Sequence, residues 1–123
     1  MTPRAAMTLA ALLMGLAVAA GAFGAHALRA RLGEEMLATW QTAVQYHAWH
    51  AIGLALVGLL SIHAPERVGL ALAAWLFLAG IIIFSGSLYT LALTGNRAWG
   101  AATPVGGVAF LLGWIAFAWG AAR

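Results

Sequence analysis

Four long stretches without Asp, Glu, Lys or Arg divide this sequence and constrain its fold more than any other feature. They cover residues 5–28, 37–62, 68–95 and 98–122. Each is longer than the roughly 20 residues that a helix needs to cross a hydrocarbon core of about 30 Å. The connections between them are short, so little chain is left for a soluble domain. The sequence predicts one integral membrane domain over residues 1–123.

The predicted fold is all-α, a four-transmembrane-helix up-down bundle. Residues 5–28, 39–62, 68–94 and 98–122 are the predicted helices. Composition agrees, because 64% of the residues are hydrophobic and 7% are charged, whereas soluble domains contain about 25% charged residues. Short connections place consecutive helices side by side with opposite directions.

The net charge of +3 does not indicate a nucleic-acid partner. It comes from arginines scattered over the loops and ends, whereas a nucleic-acid surface needs clustered cations. Three arginines fall on each side of the membrane, so the positive-inside rule does not decide the orientation. The free α-amino group favours both termini in the cytoplasm.

Polar residues gather in one half of the predicted bundle. The end of helix 1, the start of helix 2, the end of helix 3 and the start of helix 4 meet at one membrane face. We expect a polar cluster there, in one leaflet. Its candidate binding residues are His26, Thr42, Gln45, Tyr46, His50, Ser85, Ser87, Tyr89 and Thr103.

Helix 2 carries the clearest polar pattern. Thr42, Gln45, Tyr46, Trp49 and His50 follow the spacing of one helical stripe. A polar group without a partner in hydrocarbon costs several kcal/mol, so we expect this stripe to face the bundle interior.

The nearest partners should come from helix 3 or helix 1. Tyr46 and His50 should point toward Ser85 and Tyr89, or toward the end of helix 1. We expect His50 to be buried with a hydrogen-bond partner, and His47 to lie at the edge of the stripe. Alternatively, these polar groups bond between helices and have only a structural role.

Small residues predict close contacts between helices. The candidate packing glycines are Gly21, Gly24, Gly86, Gly106 and Gly107.

The sequence predicts no metal and no cofactor. Cysteine and intramembrane carboxylates are absent, and the clustered histidines are too few for the three or four ligands that zinc needs.

Four motifs together resemble one known family. They are GAFGAH at residues 21–26, Thr42-x3-Tyr46-x3-His50, FSGSLY-x-LALTG at residues 84–95, and TPVGG-x2-F-x2-GW at residues 103–114. In this order they are similar to the YgdD/YwdK family, which comprises small bacterial inner-membrane proteins with mitochondrial relatives in animals. The resemblance implies a multi-pass protein of the bacterial inner membrane, in a family catalogued as a domain of unknown function.

Three hypotheses about function follow. The first is a non-enzymatic membrane protein whose polar half binds a lipid, another amphiphile or a partner's transmembrane helix. The second is a component of a small oligomeric transporter or channel, which would need several copies or a partner protein. The third is a lipid-modifying membrane enzyme that uses His50 as a base, although no second catalytic group is evident.

Overall fold

A computed structural model describes residues 1–123, and it contains four long helices and no strands. We name them α1 (Pro3–Leu28), α2 (Glu34–Ser61), α3 (Val68–Thr94) and α4 (Arg97–Ala122), and all four are long and apolar enough to cross a membrane. The predicted fold class is therefore confirmed.

The helix ends follow from local chemistry. The hydroxyl of Thr2 accepts a hydrogen bond of 3.1 Å from the Ala5 amide and caps α1. Gly95 ends α3 in the left-handed conformation, with a φ of 68° that disfavours side chains. The predicted start of α2 at residue 39 is five residues late, because α2 begins at Glu34. Thr39, at the predicted start, lies inside the helix and donates its hydroxyl to the Glu35 carbonyl.

The four helices are not equally buried. α2 packs against α1, α3 and part of α4, while the main neighbour of α1 is α2. Only 17% of the most apolar segment of α1 is buried, against 44% in α2 and in α3. One side of the α1–α2 pair is therefore left open to lipid.

Glycines allow α3 and α4 to approach closely along their whole length. The α4 glycines Gly106, Gly113 and Gly120 are spaced seven residues apart, and each faces an α3 residue, at Phe84, Phe77 and Leu70 respectively. A Cβ on Gly113 would lie 2.7 Å from the Phe77 ring, and one on Gly120 would lie 2.7 Å from the Leu70 nitrogen. Seven-residue spacing keeps one face of a helix against its neighbour, as in coiled coils.

Two π-helical turns interrupt the regular helices. One, at Ile81–Ser85, lies in the middle of α3, and the other, at Gly24–Leu28, ends α1. Beside the second, the indole N–H of Trp40 donates a 2.8 Å hydrogen bond to the Ala20 carbonyl. A Cβ on Gly24 would lie 2.6 Å from that indole, so glycine makes room for Trp40.

Candidate functional site

The interior of the polar half contains two histidines and two serines. The buried polar residues of the protein are His47, His50, Ser85 and Ser87. His47 and His50 lie close to the middle of α2, and Ser85 and Ser87 lie in the half of α3 that leads to the α3–α4 connection.

His50 bridges α2 and α4. Its Nδ1–H donates to the Tyr46 carbonyl at 2.7 Å, and its Nε2 accepts the indole N–H of Trp114 at 3.1 Å. Its ring stacks on Phe110 with 3.4 Å between ring centroids. Since a carbonyl can only accept, the Nδ1–H tautomer satisfies both bonds, and both ring nitrogens of His50 are occupied.

The prediction that His50 is buried with a partner agrees with this geometry, but the predicted direction is wrong. His50 faces Phe110 and Trp114 of α4 and not Ser85 and Tyr89 of α3. Trp114 was not among the predicted site residues. A signal was present, because a Trp far from either membrane interface departs from the usual interfacial preference of Trp.

His47 is the histidine that meets Tyr89. Its Nδ1 lies 2.9 Å from the Tyr89 hydroxyl, and its side chain is buried, so its predicted place at the edge of the stripe is wrong. Its Nε2 is buried and has no hydrogen-bond partner within the protein. His47 therefore connects α2 to α3 and keeps one ring nitrogen unpaired.

The two serines bind α3 to its neighbours. Ser85 is fully buried and donates to the Ala43 carbonyl of α2 at 2.8 Å. Ser87 donates to the Phe84 carbonyl at 2.9 Å, which leaves its oxygen to accept a 2.8 Å hydrogen bond from Thr103 of α4. These bonds make the interior polar groups mutual partners, as expected of polar residues that hold membrane helices together.

The other predicted cluster residues lie farther out. Thr42 and Tyr46 are half-buried, and Tyr46 packs on Phe84 with 4.6 Å between ring centroids. His26 and Gln45 are exposed on the surface of the bundle. The predicted stripe thus does not face inward as a unit, because the buried face of α2 passes instead through Ala43, His47, His50 and Leu54.

The predicted packing glycines also differ among themselves. Gly24 and Gly106 are in close contact with neighbouring helices, whereas a Cβ on Gly21 or Gly107 would find only ordinary van der Waals contact. Gly86 has open space where a Cβ would be, so its predicted packing role is wrong. Gly113 and Gly120 were not among the predicted packing glycines, although they continue a seven-residue spacing that starts at Gly106.

No group of three or more His, Cys, Asp or Glu side chains comes together in the protein. His47 and His50 turn toward different helices, α3 and α4. These two rings cannot approach a common metal ion in this arrangement.

Two separate depressions lie between α1 and α2 on the open side of the pair, and we refer to them together as the lateral groove. Its polar section, of about 390 Å³, opens near the α1–α2 connection and is lined by Gly21, Ala25, Trp40, Gln41, Val44 and Gln45. Its apolar section, of about 270 Å³, lies toward the opposite membrane face and is lined only by hydrophobic residues, which include Met7, Ala11, Met14, Ile52, Leu56 and Leu59.

The two sections lie on the same face of both helices. Met14 and Gly21 are seven residues apart on α1, as are Gln45 and Ile52 on α2. Seven residues are almost two full turns of an α-helix, so each pair is aligned along its helix. The groove therefore follows the α1–α2 contact, with a polar end and an apolar end.

Gln41 and Gln45 are exposed and make no hydrogen bond within the protein. The α2 side chains that do make one are Glu35, Thr39, Trp40, His47, His50 and Ser61. Gln45 lies close to the middle of Glu34–Ser61, at a depth where an unsatisfied amide is costly. This amide therefore needs a partner from outside the chain.

Fold and site together define a small multi-spanning α-helical membrane protein. Within that class the chain belongs to a family described as protein of unknown function (DUF423), which matches residues 20–107. The resemblance to YwdK-type proteins is thereby confirmed.

Curated relatives are UPF0382 membrane proteins. YwdK of Bacillus subtilis is 48% identical over 100 residues, which cover 81% of each chain. A relative from Staphylococcus epidermidis is 45% identical over 100 residues, 81% of this chain and 80% of its own. One from Staphylococcus haemolyticus is 42% identical over 107 residues, 87% of this chain and 86% of its own. No solved structure matches the chain.

Proposed function

We propose that this protein is a non-enzymatic membrane protein that binds an amphiphile in the groove between α1 and α2. The observation that carries the proposal is the pairing of Gln45, an exposed amide within the membrane, with an apolar section in line with it. An amphiphile has the same division into a polar head and an apolar chain.

The interior polar cluster supports this division of roles. His50 uses both ring nitrogens on Tyr46 and Trp114, and Ser85 and Ser87 hydrogen-bond to neighbouring residues. Groups already paired within the protein stabilise the helix bundle and are less available for a ligand or a proton transfer. His47 Nε2 is the one buried polar side-chain atom without a partner, and the Gln41 and Gln45 amides at the groove are the exposed ones available to a ligand.

The proposal places the protein in the bacterial inner membrane with both termini in the cytoplasm. The natural chain has no cysteine, so a single introduced cysteine reports its own side of the membrane. The exposed loop residues Ala30 and Pro65 lie at opposite faces. In intact cells whose cell wall and outer membrane have been removed or permeabilised, Ala30→Cys should react with a membrane-impermeant thiol reagent. Pro65→Cys should react only after lysis. The reverse pattern would overturn the proposed orientation.

Native mass spectrometry with lipid identification tests the binding function. The variant Ala11→Trp fills the apolar section, because Ala11 is exposed and lines it. Ala22→Trp is the matched control, since Ala22 is exposed on α1 and does not line either section. Wild-type protein and the control should retain a bound amphiphile, and Ala11→Trp should lose it. Equal retention in all three proteins would refute the proposed site.

The same unpaired amide also favours a second candidate, a partner transmembrane helix. Gly21 and Ala25 leave space for close approach beside Gln45, and small residues with a polar group are typical of membrane helix interfaces. Cross-linking from Gln45→Cys to another chain in native membranes, with no bound amphiphile after purification, would favour this candidate.

A further inference from the structure

We infer that the head of the bound amphiphile is an uncharged group with carbonyl or hydroxyl oxygens, and that it is not a phosphate. This inference rests on the proposed amphiphile-binding function and names the chemical class of the ligand. It follows from the residues that line the polar section and from their depth.

The polar section offers only neutral hydrogen-bonding side chains. Its lining contains no acidic or basic residue. The Trp40 N–H is already bonded to the Ala20 carbonyl, so the Gln41 and Gln45 amides are the free side-chain groups. An amide donates to a carbonyl and accepts from a hydroxyl, but it does not neutralise an anion.

The depth of Gln45 in the membrane is a stronger argument against a charged head than the neutral lining is. Glu35 marks the outer end of α2, where it forms an exposed ion pair of 3.0 Å with Arg97. Gln45 is ten residues further along the helix, about 15 Å deeper at 1.5 Å per residue. The headgroup region on each side of a bilayer is only roughly 5–8 Å thick. A phosphate bonded to Gln45 would therefore lie in hydrocarbon without a counter-charge, which is strongly unfavourable.

Gln41 and Gln45 also set a spacing for the ligand. They lie one helical turn apart, about 6 Å along α2, so they can bind two oxygens at different depths. The chain of the ligand then follows the apolar section past Ile52, Leu56 and Leu59. Two sources supply this chemistry: a long-chain quinone with two ring carbonyls, and a diacylglycerol with ester carbonyls and a hydroxyl.

The experiment compares three probes on delipidated full-length protein in nanodiscs of phosphatidylcholine. The probes are a long-chain benzoquinone, dioleoylglycerol and anionic dioleoylphosphatidylglycerol, each titrated and read out by native mass spectrometry. The variant is Gln45→Leu. The matched control is Thr8→Leu, an exposed polar position of α1 outside the groove.

We expect one or both neutral probes to bind more tightly than phosphatidylglycerol. Gln45→Leu should weaken that binding about tenfold, the value of a single lost hydrogen bond, and Thr8→Leu should leave it unchanged. The neutral probe that binds Gln45→Leu more weakly than wild-type protein identifies whether the ligand is a quinone or a diacylglycerol. If both neutral probes bind without dependence on Gln45, the inference is wrong.

Two further results would separate this inference from the proposed function. Tighter binding of phosphatidylglycerol that is abolished by Ala11→Trp would overturn the neutral-head inference and leave amphiphile binding in the groove intact. If no probe binds and Gln45→Leu converts a dimer to a monomer, both fail, and a second copy of this chain is the partner of Gln45.

Discussion

Gly106 and Gly107 are adjacent in α4, yet alanine should have opposite effects at the two positions. A Cβ on Gly106 would lie 2.6 Å from the Phe84 Cβ and 2.7 Å from its Cα, whereas a Cβ on Gly107 would be 3.8 Å from the Phe84 ring. The nearest atom is the Phe84 backbone nitrogen, so the first substitution would have to push α4 from α3 by about 1 Å to reach ordinary contact. The second would add a contact without displacement.

The two free energies of unfolding can be estimated from these distances. Overpacking costs about 1–3 kcal/mol, and replacing a helical glycine by alanine returns roughly 0.5–1 kcal/mol. Gly106→Ala should therefore lower the free energy of unfolding by about 1–2 kcal/mol. Gly107→Ala should be neutral or stabilising by up to about 1 kcal/mol.

Unfolding by sodium dodecyl sulfate in mixed micelles, followed by circular dichroism, measures both variants. A second comparison sharpens the test, because Gly106 meets backbone and Cβ atoms of Phe84, while Gly113 meets the ring of Phe77. Phe77→Ala should therefore relieve the strain of Gly113→Ala in the double variant, and Phe84→Ala should not relieve that of Gly106→Ala. If Gly106→Ala is as stable as Gly107→Ala, the close α3–α4 contact is wrong.

Two predictions concern the interior hydrogen bonds. Trp114→Phe removes the donor to His50 Nε2 and should lower the free energy of unfolding by roughly 0.6–2 kcal/mol. A double-mutant cycle with His50→Phe should show a coupling energy of similar size. Additive effects of the two substitutions would contradict the hydrogen bond. Ser85→Ala leaves the Ala43 carbonyl without this partner in a fully buried position and should cost about 1 kcal/mol in the same assay. Thr94→Ala, at an exposed position, is its control and should change stability less.

The number of spanning helices could be predicted from sequence because it depends on local quantities. Stretches without charge are long enough to cross a bilayer, and short connections force neighbouring helices to alternate in direction. The end of α3 could also be predicted, because Gly95 has the positive φ that glycine tolerates. The start of α2 was harder to predict, because Glu34 and Glu35 precede the apolar stretch and yet form the first turn of the helix.

The rotation of α2 could not be predicted in the same way. In water, the polar side of a helix turns outward, so a polar stripe indicates orientation. In a membrane the surroundings are apolar on every side, and the partners available on neighbouring helices decide which polar groups are buried. His47 hydrogen-bonds to Tyr89 and His50 to Trp114. The rotation of α2 that allows both bonds leaves Gln45 exposed.

By itself, the sequence determined that this chain forms four helices long and apolar enough to span a membrane, and which family it belongs to. Hydrophobic length, chain connectivity and motif order are all properties of neighbouring residues. Only the tertiary structure decided that Gly106 is in tight contact while Gly107 is not. It also decided that the interior polar groups bond to one another and leave the amide of Gln45 at a groove. These features depend on distances between helices, which close packing sets to within a fraction of an ångström.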